Sequence, residues 1–403
     1  MEIRKMGIVF LCIYLIMGSA GNSYVYAGQI DTDTKAIAQH DTTPGFKVNA
    51  KAAILMEPST GKIILEHNAH DALPPASVTK IMTLLLIYEA VEQGKIKWDD
   101  IVTVSEYAAK MGGSQIYLEA GEQQSVHDLT KSIAVASAND AAVAMAEYLA
   151  GSEEGFIVNM NKKAKDLGMA DSNFMNACGL DLDGHVISAH DIALMSRELI
   201  TKYPQVNELT TIWMDTITHK TARGEEEFGL SNTNKMLKTY SGATGLKTGF
   251  TSKAGHCISA SANREGLALI AVIMSATDSA TRFDEARKLL DYGFANYTMS
   301  KGDEAGTDKG QIKINKGKLD SISVVVKAQV SVIMDKGNHV QLESKVEMLD
   351  SLNAPVEAGT KAGEVIYISE GKEVGRSDLI CSESVERADL GHMLGRLINK
   401  WFE

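Results

Sequence analysis

Three positions in the chain set a serine three residues before a lysine: Ser59/Lys62, Ser77/Lys80 and Ser369/Lys372. On a helix that spacing puts a hydroxyl and an amine on one face, one turn apart. A lysine that is partly desolvated and flanked by another cation has a lowered pKa. It can then take the serine proton and make the hydroxyl a nucleophile. The chemistry needs the helix, and one pair has it. Ser59 lies in the turn Pro58-Ser59-Thr60-Gly61 and Ser369 in a glycine-containing turn, whereas Ser77 opens an apolar helix whose N-terminal dipole favours a nearby oxyanion.

The same test sorts the Ser-x-Asn triplets Ser137/Asn139, Ser261/Asn263 and Ser351/Asn353. Ser137-Ala138-Asn139 interrupts a buried alanine-rich stretch, where two polar side chains are costly unless they are used. Asn139-Asp140 also suits the start of a new helix, and the residues alone leave both readings open. Lys247-Thr248-Gly249 occurs once, in a predicted strand. Alternation projects Lys247 and Gly249 to one face, and glycine removes the side chain where a ligand backbone would approach.

The elements that must carry these residues are legible around them. Residues 52–56 and 62–66 read as a strand pair, 77–91 as a helix with Ile81, Leu84, Leu85 and Tyr88 on one face, and 128–150 as a buried helical stretch. Residues 246–248, 257–262 and 267–274 read as strands, followed by a helix over 279–297. Helices inserted between the first and last strands of one sheet predict an α+β fold. Near residue 298 the composition turns to Gly, Lys and Asp, and short strands follow at all-β spacing. Leu390, Met393, Leu394, Leu397, Ile398, Trp401 and Phe402 then form one apolar face over 387–403, predicting an amphipathic helix in a membrane interface. The alternative is a helix packed on the β-rich region.

Arg4 and Lys5 precede an apolar run over residues 6–17, and Val25-Tyr26-Ala27 suits cleavage before Gly28. That run falls short of the ~20 residues that span a bilayer, so 1–27 reads as an export signal, with 28–45 as a polar lead-in. Its removal leaves 38 basic against 51 acidic residues, a net −13 where the whole chain carries −12. Such a balance speaks against nucleic acid as a partner. Cys178, Cys257 and Cys381 would remain, too few and too scattered for a disulfide framework. The ten histidines form no HxxxH or HExxH pattern, so no metal is expected.

Taken in order, Ser-x-x-Lys, Ser-x-Asn and Lys-Thr-Gly resemble the signatures of the penicillin-recognising serine acyl-enzymes. Residues 45–403 look like a low-molecular-mass penicillin-binding protein, a serine D-alanyl-D-alanine carboxypeptidase of peptidase family S11. The likeness includes Pro75-Ala76-Ser77-Val78-Thr79-Lys80, Gly179-Leu180-Asp181, Asn232-Thr233-Asn234, Gly245 through Thr251 and Ala254-Gly255. It implies the transpeptidase fold of penicillin-binding proteins and β-lactamases, an antiparallel sheet with a helical cluster over 46–297, then a small all-β domain over 298–386 and the tail helix. It implies Ser77 as nucleophile on the D-Ala-D-Ala bond, Lys80 as general base and Ser137 as proton relay to the leaving D-alanine. Asn139 would bond the substrate's peptide carbonyl. Lys247 with Thr248, Thr251 and Arg282 would receive the terminal carboxylate, and Gly249, on the face of the strand that carries Lys247, would let the substrate backbone approach. The N–H groups of Ser77 and Phe250 would form the oxyanion hole.

The partners implied are the peptidoglycan stem peptide and β-lactams as covalent inhibitors, with no cofactor, at the outer face of the cytoplasmic membrane. Two positions depart from many relatives, which have Asp where this chain has Thr244 and His where it has Cys178. The second departure is expected to alter the deacylation rate or substrate preference, and, if Cys178 lines the active-site wall, Cys178→His is expected to change deacylation more than acylation. A DD-endopeptidase on crosslinks would use the same residues. A class A β-lactamase would need a Glu-x-x-Leu-Asn pattern, which is missing between Asn139 and Lys247. A silent wall-binding scaffold would have no use for a lysine beside a serine in an apolar helix.

Overall fold

The structure is a computed structural model that describes residues 47–221, 224–336, 342–369 and 371–395. The export signal and lead-in expected at 1–45, and residues 396–403 of the tail, lie outside the described residues.

A five-stranded antiparallel sheet organises the first region. Its strands are β1 (Ala52–Met56), β2 (Ile63–His67), β3 (Ala243–Thr251), β4 (Gly255–Arg264) and β5 (Leu267–Ala276), in the order β2-β1-β5-β4-β3. The chain leaves the sheet at one edge after β2 and returns at the other as β3, so the strand bearing Lys247 is an edge strand. The near-continuous apolar runs in β1 and β5 have a direct cause: both faces are covered. Ala52, Ile54 and Met56 pack into a core shared with the helices α1 (Lys80–Glu92), α2 (Val126–Val135), α3 (Asn139–Ala150), α4 (Glu153–Asp166) and α5 (Ala189–Lys202). Ala53 and Leu55 point the other way, into a core closed by Phe283, Leu289, Leu290 and Phe294 of α6 (Ser279–Asn296). The result is a three-layer α+β fold, as expected.

The alanine-rich stretch is two helices rather than one, because the chain turns left-handed at Ser137 with φ of 61°. A hairpin of strands Met214–Thr221 and Gly224–Ser231 was not foreseen. Its residues are mostly solvated; Ile217, His219 and Leu230 are buried and Phe228 is half-buried against the core, so neither strand shows the alternation that marks a half-buried one.

After Tyr297 the chain is β-structure. Strand Tyr297–Lys301 pairs with Ser331–Asp335, and six further strands form a second sheet whose parallel edge pair is Asp308–Asn315 with Ser351–Asn353. This sheet has its own core, including Ile312, Ile314, Val324, Val365, Tyr367 and Leu379. Residues 390–395 are helical, with Leu390 and Leu394 exposed. Among the described residues no helix is long and apolar enough to cross a membrane. Cys178, Cys257 and Cys381 are buried and unpaired, so the described fold is closed by packing alone.

Candidate active site

Ser77 sits in a single 3-10 turn, Ala76–Thr79, from which α1 continues at Lys80. The turn is held from outside. Ala76 has φ of 50°, a left-handed conformation that a residue with a Cβ keeps only where its surroundings over-determine it. Those surroundings are visible. Thr79 Oγ1 donates to Ala76 O at 2.8 Å, and Thr83 Oγ1 donates to Ala177 O at 2.6 Å. Gly179 packs so closely that a Cβ there would lie 1.9 Å from Ala76 O.

Lys80 is fully buried, and three oxygens surround its amine. Asn139 Oδ1 lies at 2.5 Å, Cys178 O at 2.7 Å and Ser77 Oγ at 3.1 Å. Burial pushes the Lys80 amine down to about 8, with the Cys178 thiol and Asp140 opposing more weakly. A neutral amine has two N–H bonds and one lone pair. The carbonyl oxygens of Asn139 and Cys178 take the two donors, which leaves the lone pair for the Ser77 hydroxyl.

Asn139 is the first residue of α3, yet its side chain does not cap that helix. It turns inward instead, with Nδ2 donating to Gly112 O at 2.6 Å and backbone N–H to Ser114 O at 2.7 Å. The loop that supplies those carbonyls is in turn gripped by Asp140, whose carboxylate accepts from the N–H groups of Ile116 and Leu118, each at 3.1 Å to Oδ2. The interruption of the buried stretch is therefore used rather than merely capped. Ser137 is 4% exposed beside it.

Strand β3 supplies the other wall. A Cβ on Gly249 would come within 2.9 Å of Ser77 N, so glycine lets the strand lie against the nucleophile turn. Lys247 is buried. Burial first, then repulsion from Lys80 and Arg282, holds its amine well below the usual lysine range. Thr248 Oγ1 lies 2.6 Å from Thr233 Oγ1, in the Asn232-Thr233-Asn234 segment, and Asn234 Nδ2 donates to Gly245 O at 2.9 Å. Phe250 is exposed and stacks on His256 with ring centroids 4.4 Å apart.

Two residues expected at a substrate carboxylate are bonded to the protein itself. Thr251 Oγ1 donates to Asp181 Oδ1 at 2.7 Å, and Arg282 Nη1 donates to Gly249 O at 3.1 Å and Cys257 O at 3.3 Å. Burial pushes the Arg282 guanidinium down to about 10. Motif reasoning also passed over Asn176, whose Oδ1 accepts from the N–H groups of Cys178, Gly179 and Leu180 and so shapes the loop that presents Cys178 O. It passed over Asp140 and His185 as well. The signal available for Asp140 was a carboxylate inside an alanine-rich buried helix, which needs partners to be tolerated.

A serine hydroxyl against a buried amine, a Ser-x-Asn turn and a Lys-Thr-Gly edge strand define a serine acyl-transfer enzyme of the penicillin-binding class. Residues 36–278 match the family described as D-alanyl-D-alanine carboxypeptidase, and residues 297–387 match the penicillin-binding protein 5 C-terminal domain. The chain is 39% identical over 353 residues to the D-alanyl-D-alanine carboxypeptidase DacF of Bacillus subtilis (strain 168), covering 87% of this chain and 90% of that one. Penicillin-binding protein 5 from Haemophilus influenzae is similar at a TM-score of 0.71 and 30% identity, over 86% of this chain and all of the other. The ampicillin-bound form of penicillin-binding protein D2 from Listeria monocytogenes is similar at a TM-score of 0.55 and 34% identity, over 62% of this chain and all of that one. The chain belongs to the D-alanyl-D-alanine carboxypeptidase family, which are serine hydrolases.

The contact between Gly179 and the nucleophile turn yields a prediction. Gly179→Ala forces a Cβ into Ala76 O at a position with φ of +90°, so it should destabilise the protein by more than ~2 kcal/mol and abolish labelling by penicillin at any temperature. Thermal denaturation with a labelling assay checks both. A variant of wild-type stability that labels normally would show that the turn is held by other contacts.

Proposed function

We propose that the protein removes the terminal D-alanine from peptidoglycan stem peptides through an acyl-enzyme on Ser77. The observation that carries this reading is the buried Lys80 amine 3.1 Å from Ser77 Oγ, with its other contacts made to two carbonyl oxygens. Neutral Lys80 takes the Ser77 proton as Oγ attacks the carbonyl carbon of the penultimate D-alanine. Charge develops on the carbonyl oxygen, and the N–H groups of Ser77 and Phe250 receive it. The C–N bond then breaks, and the proton taken up by Lys80 passes through the Ser137 hydroxyl, which gives one proton up and takes one in, to the leaving D-alanine amine. Water cleaves the resulting ester and restores Ser77. A β-lactam opens on the same serine by the same first step.

Asn139 divides its bonds between Lys80 and the substrate's peptide carbonyl. The substrate's terminal carboxylate is drawn to Lys247 and Thr248. Lys247 is discharged easily because it is buried among Lys80 and Arg282, and an arriving carboxylate supplies the counter-charge that keeps its proton on. In this reading Thr251 and Arg282 hold strand β3 and its turn through the bonds they make to Asp181 and Gly249.

We further propose that residues 1–27 are an export signal, that 46–297 and 298–386 are a catalytic and a β domain, and that 387–403 lie on the membrane surface. The support for the last is the exposed apolar side of Leu390, Met393 and Leu394.

Three measurements follow. Wild-type protein should release D-alanine from a peptide ending in D-Ala-D-Ala, and Ser77→Ala should release none and lose covalent penicillin labelling. Release that survives the substitution would overturn the acyl-enzyme. Hydrolysis of a crosslinked dimer in preference to that peptide would move the reading to an endopeptidase. Acylation should rise about tenfold from pH 7 to 9, because a base with pKa about 8 is roughly one-tenth neutral at pH 7. Asn139→Asp places a carboxylate against the amine, holds its proton on and moves that midpoint upward. A profile flat between pH 7 and 9 would remove Lys80 from the base's role. A chain ended at Glu386 should leave membranes with activity intact, and continued membrane association would return the tail to a helix packed on the β domain.

A further inference from the structure

Thr79 stands between the nucleophile and its base in sequence, is fully buried, and takes no part in the bonds around the Lys80 amine. Its hydroxyl is the middle of a chain of hydrogen bonds that starts in another part of the sequence. Met175 N–H donates to His185 Nδ1 at 2.9 Å. That contact fixes the tautomer, since a ring nitrogen accepting a bond carries no proton. His185 Nε2 therefore bears the hydrogen and donates to Thr79 Oγ1 at 2.8 Å, and Thr79 donates onward to Ala76 O at 2.8 Å.

The chain ends on one particular peptide unit. The carbonyl of Ala76 and the N–H of Ser77 belong to the same rigid plane and point in opposite directions. Fixing the oxygen fixes where the N–H is aimed. Ala76 needs such fixing, because its φ of 50° is one that a non-glycine residue does not hold unaided. Bonds in series also polarise one another, which strengthens the terminal N–H as a donor.

We infer that His185 and Thr79 are positioning residues for acylation: together they aim the Ser77 N–H at the oxygen that becomes negatively charged. This rests on the reading above in which that N–H is one half of the oxyanion hole. Burial pushes the His185 imidazole down to about 4, so the donor sequence persists through the pH range in which Lys80 loses its proton.

The test uses the full-length protein and a chromogenic penicillin, separating the noncovalent dissociation constant from the acylation rate constant. His185→Asn keeps an acceptor near the Nδ1 position for Met175 but loses the donor to Thr79. His185→Gln keeps a donor near the Nε2 position and loses the acceptor. The acylation rate constant should fall about tenfold in His185→Asn, with the dissociation constant within about twofold of wild type, and His185→Gln should retain most of the rate. Losing a donor outright costs about 100-fold or more, so tenfold is the scale expected for mis-aiming one. Thr79→Val and Thr79→Ser form a second pair that decides the matter if a histidine variant fails to fold: Val should lose the rate and Ser should keep it. Equal losses in Asn and Gln, a change confined to the dissociation constant, or a wild-type rate in Thr79→Val would overturn the inference. Absence of acylation in the wild-type protein would instead overturn the acyl-enzyme reading on which it rests.

Discussion

Two carbonyl oxygens and one serine hydroxyl compete for the amine of Lys80, and their geometry decides what that amine can do. A lysine buried in an apolar helix is normally a liability, because taking the ammonium out of water costs several kcal/mol. Here the burial is the device. It lowers the pKa to about 8, while Asn139 Oδ1 and Cys178 O satisfy the two N–H bonds that the neutral amine keeps. The lone pair then has one place to point. Without both carbonyls the amine would rotate, and its neutral state would no longer imply a base aimed at Ser77.

Much of the surrounding structure serves to hold those two oxygens. Asn139 is set by Gly112 and Ser114, and their loop is gripped through its backbone N–H groups by Asp140. Cys178 O is set by Asn176 and by Gly179 packing against Ala76. At Cys178 the contact with Lys80 comes from the main chain, so the lysine's acceptor does not depend on the cysteine side chain. The third wall, β3, approaches closely because Gly249 has no side chain, and Arg282 binds its carbonyl from behind. Three basic side chains, Lys80, Lys247 and Arg282, thus converge in a chain of net charge −12, and because each disfavours charge on the others the site is receptive to a carboxylate.

The parts readable from sequence were those with a strong periodic or local signal. Strands buried on both faces stand out as apolar runs, and β1 and β5 lie where those runs fall. Ser77, Lys80, Asn139 and Lys247 were legible because a polar group in apolar surroundings needs a reason. Thr251 and Arg282 were placed by resemblance, and the bonds they make to Asp181 and Gly249 depend on tertiary distance that spacing does not carry. The paired strands Met214–Thr221 and Gly224–Ser231 escaped because their side chains are mostly solvated and the two satisfy each other through the backbone. Asn176 and His185 escaped for a related reason. Asn176 shapes the backbone of its own loop, whose importance appears only when that loop meets Lys80, and His185 meets Thr79 from more than a hundred residues away; neither has a motif.

Acylation by this route depends most directly on the protonation of a single amine. NMR titration of lysine side chains labelled with 13C at the ε carbon, with Lys80→Arg as the assignment control, would follow that amine without catalysis. The prediction is a transition centred near pH 8 that disappears in the variant. A Lys80 signal that titrates near the ordinary lysine value, around 10.4, would contradict a neutral base and with it the proposed route to the acyl-enzyme.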